Sequence, residues 1–402
     1  MVVPTVINPT VYLRRLVLEK LLPLKLQCFI IITIWNNAAR IIIIGVALLR
    51  AYFAVFFMLS VLVKEGGIRM LSNNLQYKCD LFEENYGILK KNFKWEYSMM
   101  LRLAAIICAN AGIKADVEAI KKAKGIIKNN TGVFSSFKDI SFFILSTLFS
   151  LEKNQEEMFL KTKNIYEEMR KTGFRASPYL TLAAFSVAKQ KPEQDVGAVI
   201  SRAKEFYDAM KREHRFLTAA DDYGYAAMLA ATDLNIASTI NEMEMCYELL
   251  KKNFGVGNEL QSLTHVLAMG EEPAQEKCDR VLEVFESLNN KDCKISKYHN
   301  LANLGILVLV SEDVEKLTDE IAEVNKYLLG KKGFGRWSIS KQDRTLFSSV
   351  LVVEEYLKES KKDSLTMTLA NGITNLIIAQ QTAMIIAVSS ASAAAAASSY
   401  GD

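Results

Sequence analysis

Asp221-Asp222 is the one adjacent pair of carboxylates that falls at the start of an apolar helical stretch, and Tyr223 and Tyr225 follow it directly. Some forty residues on, Gln261 and His265 stand four apart and so share one face of a helix. Tyr298, His299, Asn300 and Asn303 come next at the corresponding place, then Trp337 and Arg344. A carboxylate pair beside a histidine can hold a divalent cation or move a proton. Asp221, Asp222 and His265 are therefore the candidates for a metal-dependent enzyme, with Asp222 and His265 as the metal-ligand candidates. Each also has a plain structural reading: an acid at a helix start opposes the macrodipole, and a single histidine in an apolar helix is a satisfied core residue. The third reading takes Asp221, Asp222, Tyr225, Gln261, His265, Tyr298, His299, Trp337 and Arg344 as the lining of a groove for a protein or peptide. We prefer it to catalysis, because helical arrays commonly present extended concave binding surfaces.

The elements that must position these residues recur. Tyr247-Glu-Leu-Leu-Lys-Lys-Asn-Phe254 has a close copy in Tyr86-Gly-Ile-Leu-Lys-Lys-Asn-Phe93 and looser copies ending at Phe134, Phe174, Phe216, Cys293 and Phe334. The steps between these closing residues are 41, 40, 42, 38, 39 and 41. A near-constant period in that range is the signature of stacked helical pairs. Each unit reads as an amphipathic first helix with a basic last turn, a short polar link, and a second, more apolar helix. The second helices are expected over Ile140–Leu151, Tyr179–Ala188, Tyr223–Ala231, Leu260–Met269, Leu301–Val310 and Leu346–Tyr356. Ser135, Ser177, Ser296 and Ser338 are the expected caps, and the periodic closing aromatics are expected to be core anchors. The fold class is all-α: a right-handed helical-hairpin repeat array, α-solenoid-like, of about seven units with a period near 40.

Composition removes several functions. The chain carries +4 overall, but residues 1–69 hold +6 of it and the remaining 333 residues carry 41 basic against 43 acidic side chains. A slightly acidic array is a poor phosphate-binding surface, so no nucleic acid is expected as a partner. Six cysteines without a CxxC fit free thiols in a reducing compartment. Gly330-Lys-Lys-Gly-Phe-Gly335 lacks the ending of a phosphate-binding loop, and neither GxSxG nor HExxH occurs. No cofactor is expected.

Residues 1–69 stand outside the repeat. Ile41–Val63 is 23 residues with the single charge Arg50, long enough for a membrane anchor. Lys64-Glu-Gly-Gly-Ile-Arg-Met70 can equally be encoded by a purine-rich run resembling a bacterial ribosome-binding site before a start at Met70, and we read 1–69 as translated upstream sequence in preference to an anchor. That gives three segments, 1–69, a helical repeat domain over 70–358, and an apolar Ala/Ser-rich helix and tail over 359–402. The tail's apolar and small residues would suit packing on the array, homo-oligomer contact or a lipid-facing role. The location expected is cytoplasmic, or membrane-associated if 41–63 is translated.

At Phe216-Leu-Thr-Ala-Ala-Asp-Asp-Tyr223, Gln261-Ser-Leu-Thr-His-Val-Leu-Ala-Met-Gly270 and Lys332-Gly-Phe-Gly-Arg-Trp-Ser338 the chain resembles a bacterial family, domain of unknown function number four thousand and three, over about residues 70–402. The resemblance implies a cytosolic bacterial protein and brings no catalytic residues. From the residues alone, the function expected is a non-enzymatic protein- or peptide-binding scaffold, with the metal-dependent enzyme and a membrane-tethered interaction protein as the alternatives.

Overall fold

Basic residues crowd the ends of the longer helices and apolar residues fill the shorter ones, and this division of labour builds the molecule. The computed structural model describes residues 71–189, 195–297 and 300–359. The apolar stretch 41–63, the reading of Met70 as a start, the tail beyond 359, and Tyr298 and His299 lie outside the described residues. The chain divides between Met70 and Leu71, and the described residues all belong to the second unit.

Among the described residues there are fourteen α-helices and no strands. They are α1 (Asn73–Asn92), α2 (Ser98–Asn110), α3 (Val117–Asn130), α4 (Phe142–Ser150), α5 (Gln155–Lys171), α6 (Pro178–Ala188) and α7 (Val196–Glu213). The second half comprises α8 (Tyr223–Ala230), α9 (Ile236–Phe254), α10 (Asn258–Leu267), α11 (Ala274–Asn290), α12 (Ala302–Val310), α13 (Val314–Leu329) and α14 (Lys341–Glu359). Odd-numbered helices pair with the even-numbered helix that follows, giving seven hairpins.

Local chemistry sets where these helices begin and end. Asp116, Asn154, Asp195, Asn235 and Asp313 each accept a hydrogen bond from a backbone N–H in the first turn of α3, α5, α7, α9 and α13. Ser72 does the same for α1, and Ser177 caps α6 ahead of Pro178. Ser135 caps only a short 3₁₀ turn, and the cap of α14 is Ser340, whose Oγ accepts from Asp343 N at 3.0 Å, in place of the expected Ser338. Lysine or arginine sits in the last turn of α1, α3, α5, α7, α9 and α13, favourable to the helix C-terminus.

The long odd-numbered helices contact one another in sequence, as do several of the shorter even-numbered ones. Small side chains permit the close inner packing. Ala104, Ala105, Ala183, Ala184, Ala226 and Ala227 are all buried, and a Cβ at Gly305 of α12 would lie 3.0 Å from Val266 Cβ of α10.

Contacts in a simple stack run only between neighbours; here the last hairpin also meets the first. Helix α13 packs on α1, and α14 packs on both α1 and α2. Tyr327 Oη donates to Asp80 Oδ1 at 2.9 Å, and Lys331 Nζ lies 2.6 Å from the same oxygen. Arg102 donates to the carbonyls of Gly333 and Ser338, both at 2.8 Å, with its guanidinium over the Tyr86 ring. Buried Lys78 pairs with Glu355, and burial holds the Lys78 ammonium below its usual range. The helical circuit is therefore closed through its seventh and first hairpins.

Two expected anchors do not anchor. Phe174, Phe254, Cys293 and Phe334 are buried, but Phe134 and Phe216 are exposed. In the second hairpin the core position belongs to Phe137, packed between Phe159 and Tyr166 at centroid distances of 5.7 and 5.1 Å. In the fourth, half-buried His214 packs against Tyr247, 4.5 Å away. Turn length varies between units, so the aromatic nearest in sequence is not always the one that reaches the core.

Candidate functional site

The carboxylate pair sits in the turn between α7 and α8. Residues Ala220–Asp222 form one 3₁₀ turn, and Asp222 Oδ2 accepts from Ala219 N at 2.9 Å, which fixes the carboxyl as an end cap. Its other oxygen, Oδ1, faces His265 Nδ1 on α10 at 3.5 Å without a hydrogen bond. The Tyr225 ring meets the His265 ring edge-on at 5.1 Å. Gln261, one turn before His265, donates through Nε2 to Thr218 Oγ1 at 2.7 Å, and its Oε1 is buried without a partner. Asp221 turns the other way and accepts from Asn258 Nδ2 at 2.8 Å.

Burial decides the charge state of this pair. Loss of water, reinforced by the neighbouring Asp221 charge, raises the Asp222 carboxyl well above its ordinary range, against the opposing Ala219 hydrogen bond. Burial, followed by the nearby His214, pushes the His265 imidazole down to about 3. Burial thus favours the uncharged form of each group, a carboxylic acid facing an imidazole rather than an ion pair. Neither is open to solvent. The arrangement can share a proton internally and tie α8 to α10, but it offers no surface on which a reactant could land.

The remaining candidates are dispersed. Arg344 is buried and donates through Nε to Asn325 Oδ1 at 2.9 Å, while Asn325 Nδ2 donates to Thr345 Oγ1 at 2.9 Å, so Arg344 fastens α13 to α14. Trp337 projects fully from the turn between the same helices. The structure brings Asp222, Tyr225 and His265 together with Asp221 and Gln261 beside them, and sets Arg344 and Trp337 apart. Among the described residues no group of three or more His, Cys, Asp and Glu side chains is placed to hold a metal ion. The five described cysteines are free and buried; burial pushes the Cys79 and Cys108 thiols up to about 12, which removes the thiolate a nucleophile needs.

A different feature emerges at the seven turns that join the two helices of each hairpin. Neighbouring hairpins meet at these turns, turn to turn or turn to the end or side of the next helix. Phe93 packs on Phe143, Tyr166 Oη donates to Ser136 Oγ, and Arg175 N donates to Tyr223 Oη. Asn258 reaches Asp221, Lys297 donates to Asn253 O, Lys341 pairs with Asp292, and Arg102 bridges to Gly333. Five of these turns carry a large apolar side chain almost wholly in solvent: Trp95 at 99%, Phe134 at 102%, Phe216 at 95%, Val256 at 78% and Trp337 at 102% exposure. The sequence does contain the signal. Trp95, Val256 and Trp337 each follow a closing Phe by two or three residues, a second apolar residue where a hairpin needs only one.

The family described as "Protein of unknown function (DUF4003)" matches residues 85–382 of the chain. No curated protein and no solved structure matches it.

Proposed function

The chain belongs to the DUF4003 family of proteins of unknown function, and from that premise we propose that it is a non-enzymatic binding scaffold whose contact surface is the face made by the seven hairpin turns. The carrying observation is the set of five solvent-exposed apolar tips on adjoining turns. Exposed apolar groups concentrated on the turns at one end of a domain's helices point to an interaction site, and the tips are not part of the buried core. A catalytic reading has less to stand on, since Asp222 and His265 are enclosed. The helical circuit is a repeat array bent until its ends meet, which converts seven equivalent turns into one surface. Five buried free thiols support a reducing, cytoplasmic setting. Among the described residues no helix is long and apolar enough to cross a membrane.

Site-specific photocrosslinking in cells tests the face. A benzophenone side chain at Phe134 or Phe216 is expected to give adducts, to protein or lipid, while the same group at Lys153 or Glu271 in the links between hairpins gives none. Equal yields from both sets, or adducts only from the link positions, would overturn the assignment.

A further inference from the structure

Charge is segregated along the helix axes. The turn segments 90–97, 128–139, 170–177, 211–222, 251–258, 291–297 and 331–341 hold twenty lysines and arginines against six aspartates and glutamates. Five of the links at the other ends of the helices, 111–118, 151–157, 231–236, 268–276 and 311–315, hold two against twelve. A near-neutral domain is thus strongly basic on the turn side and acidic on the other. Helix termini account for part of this, because cations suit the C-termini of the odd-numbered helices. They do not account for Lys94, Arg215, Lys294 and Arg336, which lie beyond those helices within the turns and point into solvent.

We propose that the turn face docks on an anionic phospholipid surface, with Trp95, Phe134, Phe216, Val256 and Trp337 entering the headgroup region and the surrounding lysines and arginines meeting lipid phosphates. This rests on the turn face being the contact surface and names its partner. Two observations select a bilayer over other polyanions. The apolar tips include aliphatic side chains, Val256 and Val133 at 78% and 79% exposure. An aliphatic tip gains from the apolar region of a membrane and has no ring to stack on a nucleotide base. The aromatic tips include both described tryptophans, with Tyr97 also exposed beside Trp95, the residue types that partition to the membrane–water interface. Tips on adjoining turns with basic residues between them combine apolar insertion with attraction to anionic lipid, the two terms that drive interfacial binding.

The tryptophans provide the readout. The full-length protein is titrated with vesicles of phosphatidylcholine alone and of phosphatidylcholine containing 30% phosphatidylglycerol, following tryptophan emission and co-sedimentation. Trp95→Phe and Trp337→Phe assign the signal, since Trp35 lies outside the described residues. Expected is a blue shift from Trp95 and Trp337 with anionic vesicles, and partitioning at least ~10-fold weaker to the neutral ones, reduced by added salt. The variant Trp95→Ser/Phe134→Ser/Phe216→Ser/Trp337→Ser should lose ~10-fold or more of the binding while its thermal melt stays that of the parent, because these tips are solvent-exposed. Lys94→Gln/Arg215→Gln/Lys294→Gln/Arg336→Gln should lose binding to anionic vesicles only. Absence of a blue shift overturns the proposal, as does a quadruple Ser variant that binds like the parent, which would place attachment elsewhere in the chain. Tighter binding to a single-stranded oligonucleotide than to the anionic vesicles also overturns it. Photocrosslinks confined to the turn face alongside failure with vesicles would remove the lipid assignment and leave the scaffold reading standing.

Discussion

Phe334, in the turn of the seventh hairpin, packs against Phe82 in the first helix with ring centroids 4.6 Å apart. Residues 252 positions apart in the chain thereby share one core, and Phe347 of α14 joins them at 5.3 Å from Phe82. Closure is thus an aromatic contact as well as a set of ion pairs. Phe334→Ala should cost about 3–5 kcal/mol, the usual penalty for emptying a fully buried aromatic site. Urea unfolding of parent and variant would measure it. A loss below about 1 kcal/mol would show that the first and last hairpins are not packed together.

Gly333 makes the same junction sensitive to a single methyl group. Its φ is +90°, and an added Cβ would stand 2.4 Å from Tyr86 Cε1. Gly333→Ala combines backbone strain with overpacking and is expected to destabilise by about 2 kcal/mol or more. Gly335→Ala, where the nearest atom to a Cβ is 3.8 Å away, should stay within about 0.5 kcal/mol of the parent. Equal effects at the two positions would contradict the junction.

Much of this architecture was legible in the residues. Apolar spacing and the basic last turns located the odd-numbered helices, and the second helices read as Tyr179–Ala188 and Tyr223–Ala231 differ from the observed ones by one residue. Closure was not legible. A sequence period speaks of packing between neighbours, whereas the contacts of α13 and α14 with α1 and α2 join residues more than 200 positions apart. Phe134 and Phe216 were misread because a period cannot distinguish a residue at the core end of a turn from one at its tip. The meeting of Asp222 with His265 followed from lining up equivalent positions in adjacent units, and the enclosure of His265 is what the core reading of a histidine in an apolar helix gives. The charge of the turn face was hidden by summing over the domain.

The Asp222–His265 pair predicts a particular stability profile. Burial lets the folded state hold the Asp222 proton to a pH well above that of an ordinary carboxyl and leaves His265 unprotonated until about pH 3. Between about pH 4 and 6.5 the unfolded chain also holds one proton across these two residues, on the histidine, so their contribution is flat. Above about pH 6.5 the unfolded chain holds none, so stability falls as pH rises, by at most about 1.4 kcal/mol per pH unit, over the range in which the raised Asp222 carboxyl keeps its proton. Below about pH 4 the unfolded chain holds two and stability falls again. Asp222→Asn should flatten the alkaline decline and move the onset of the acid decline up toward pH 6.5. Denaturant midpoints from pH 4 to 8.5 provide the test, in which an unchanged alkaline slope would count against a retained proton. Asp221, Tyr207 and His214 surround the pair and are unaltered in the comparison.

The cysteines should be silent until the fold opens. Cys79, Cys108, Cys246, Cys278 and Cys293 are all buried, and burial pushes Cys79 and Cys108 up to about 12 and Cys293 up to about 11. Iodoacetamide at pH 7.5, with site-by-site mass spectrometry, is expected to alkylate these five at least about 100-fold more slowly in the native protein than in urea. Rapid native labelling of Cys79 or Cys108 would mean that the first hairpin is open.

Closure of the helical circuit underlies the single turn face and all that is built on it, and one cross-link tests it most directly. Lys331 Nζ and Asp80 Oδ1 are 2.6 Å apart, within reach of a zero-length carbodiimide bond, and both are accessible to reagent, with side chains 22% and 46% exposed. After treatment and isolation of the monomer, peptide mapping is expected to recover an isopeptide joining Lys331 to Asp80. A monomer fraction without that linkage, or the linkage found only in covalent dimers, would contradict a closed circuit.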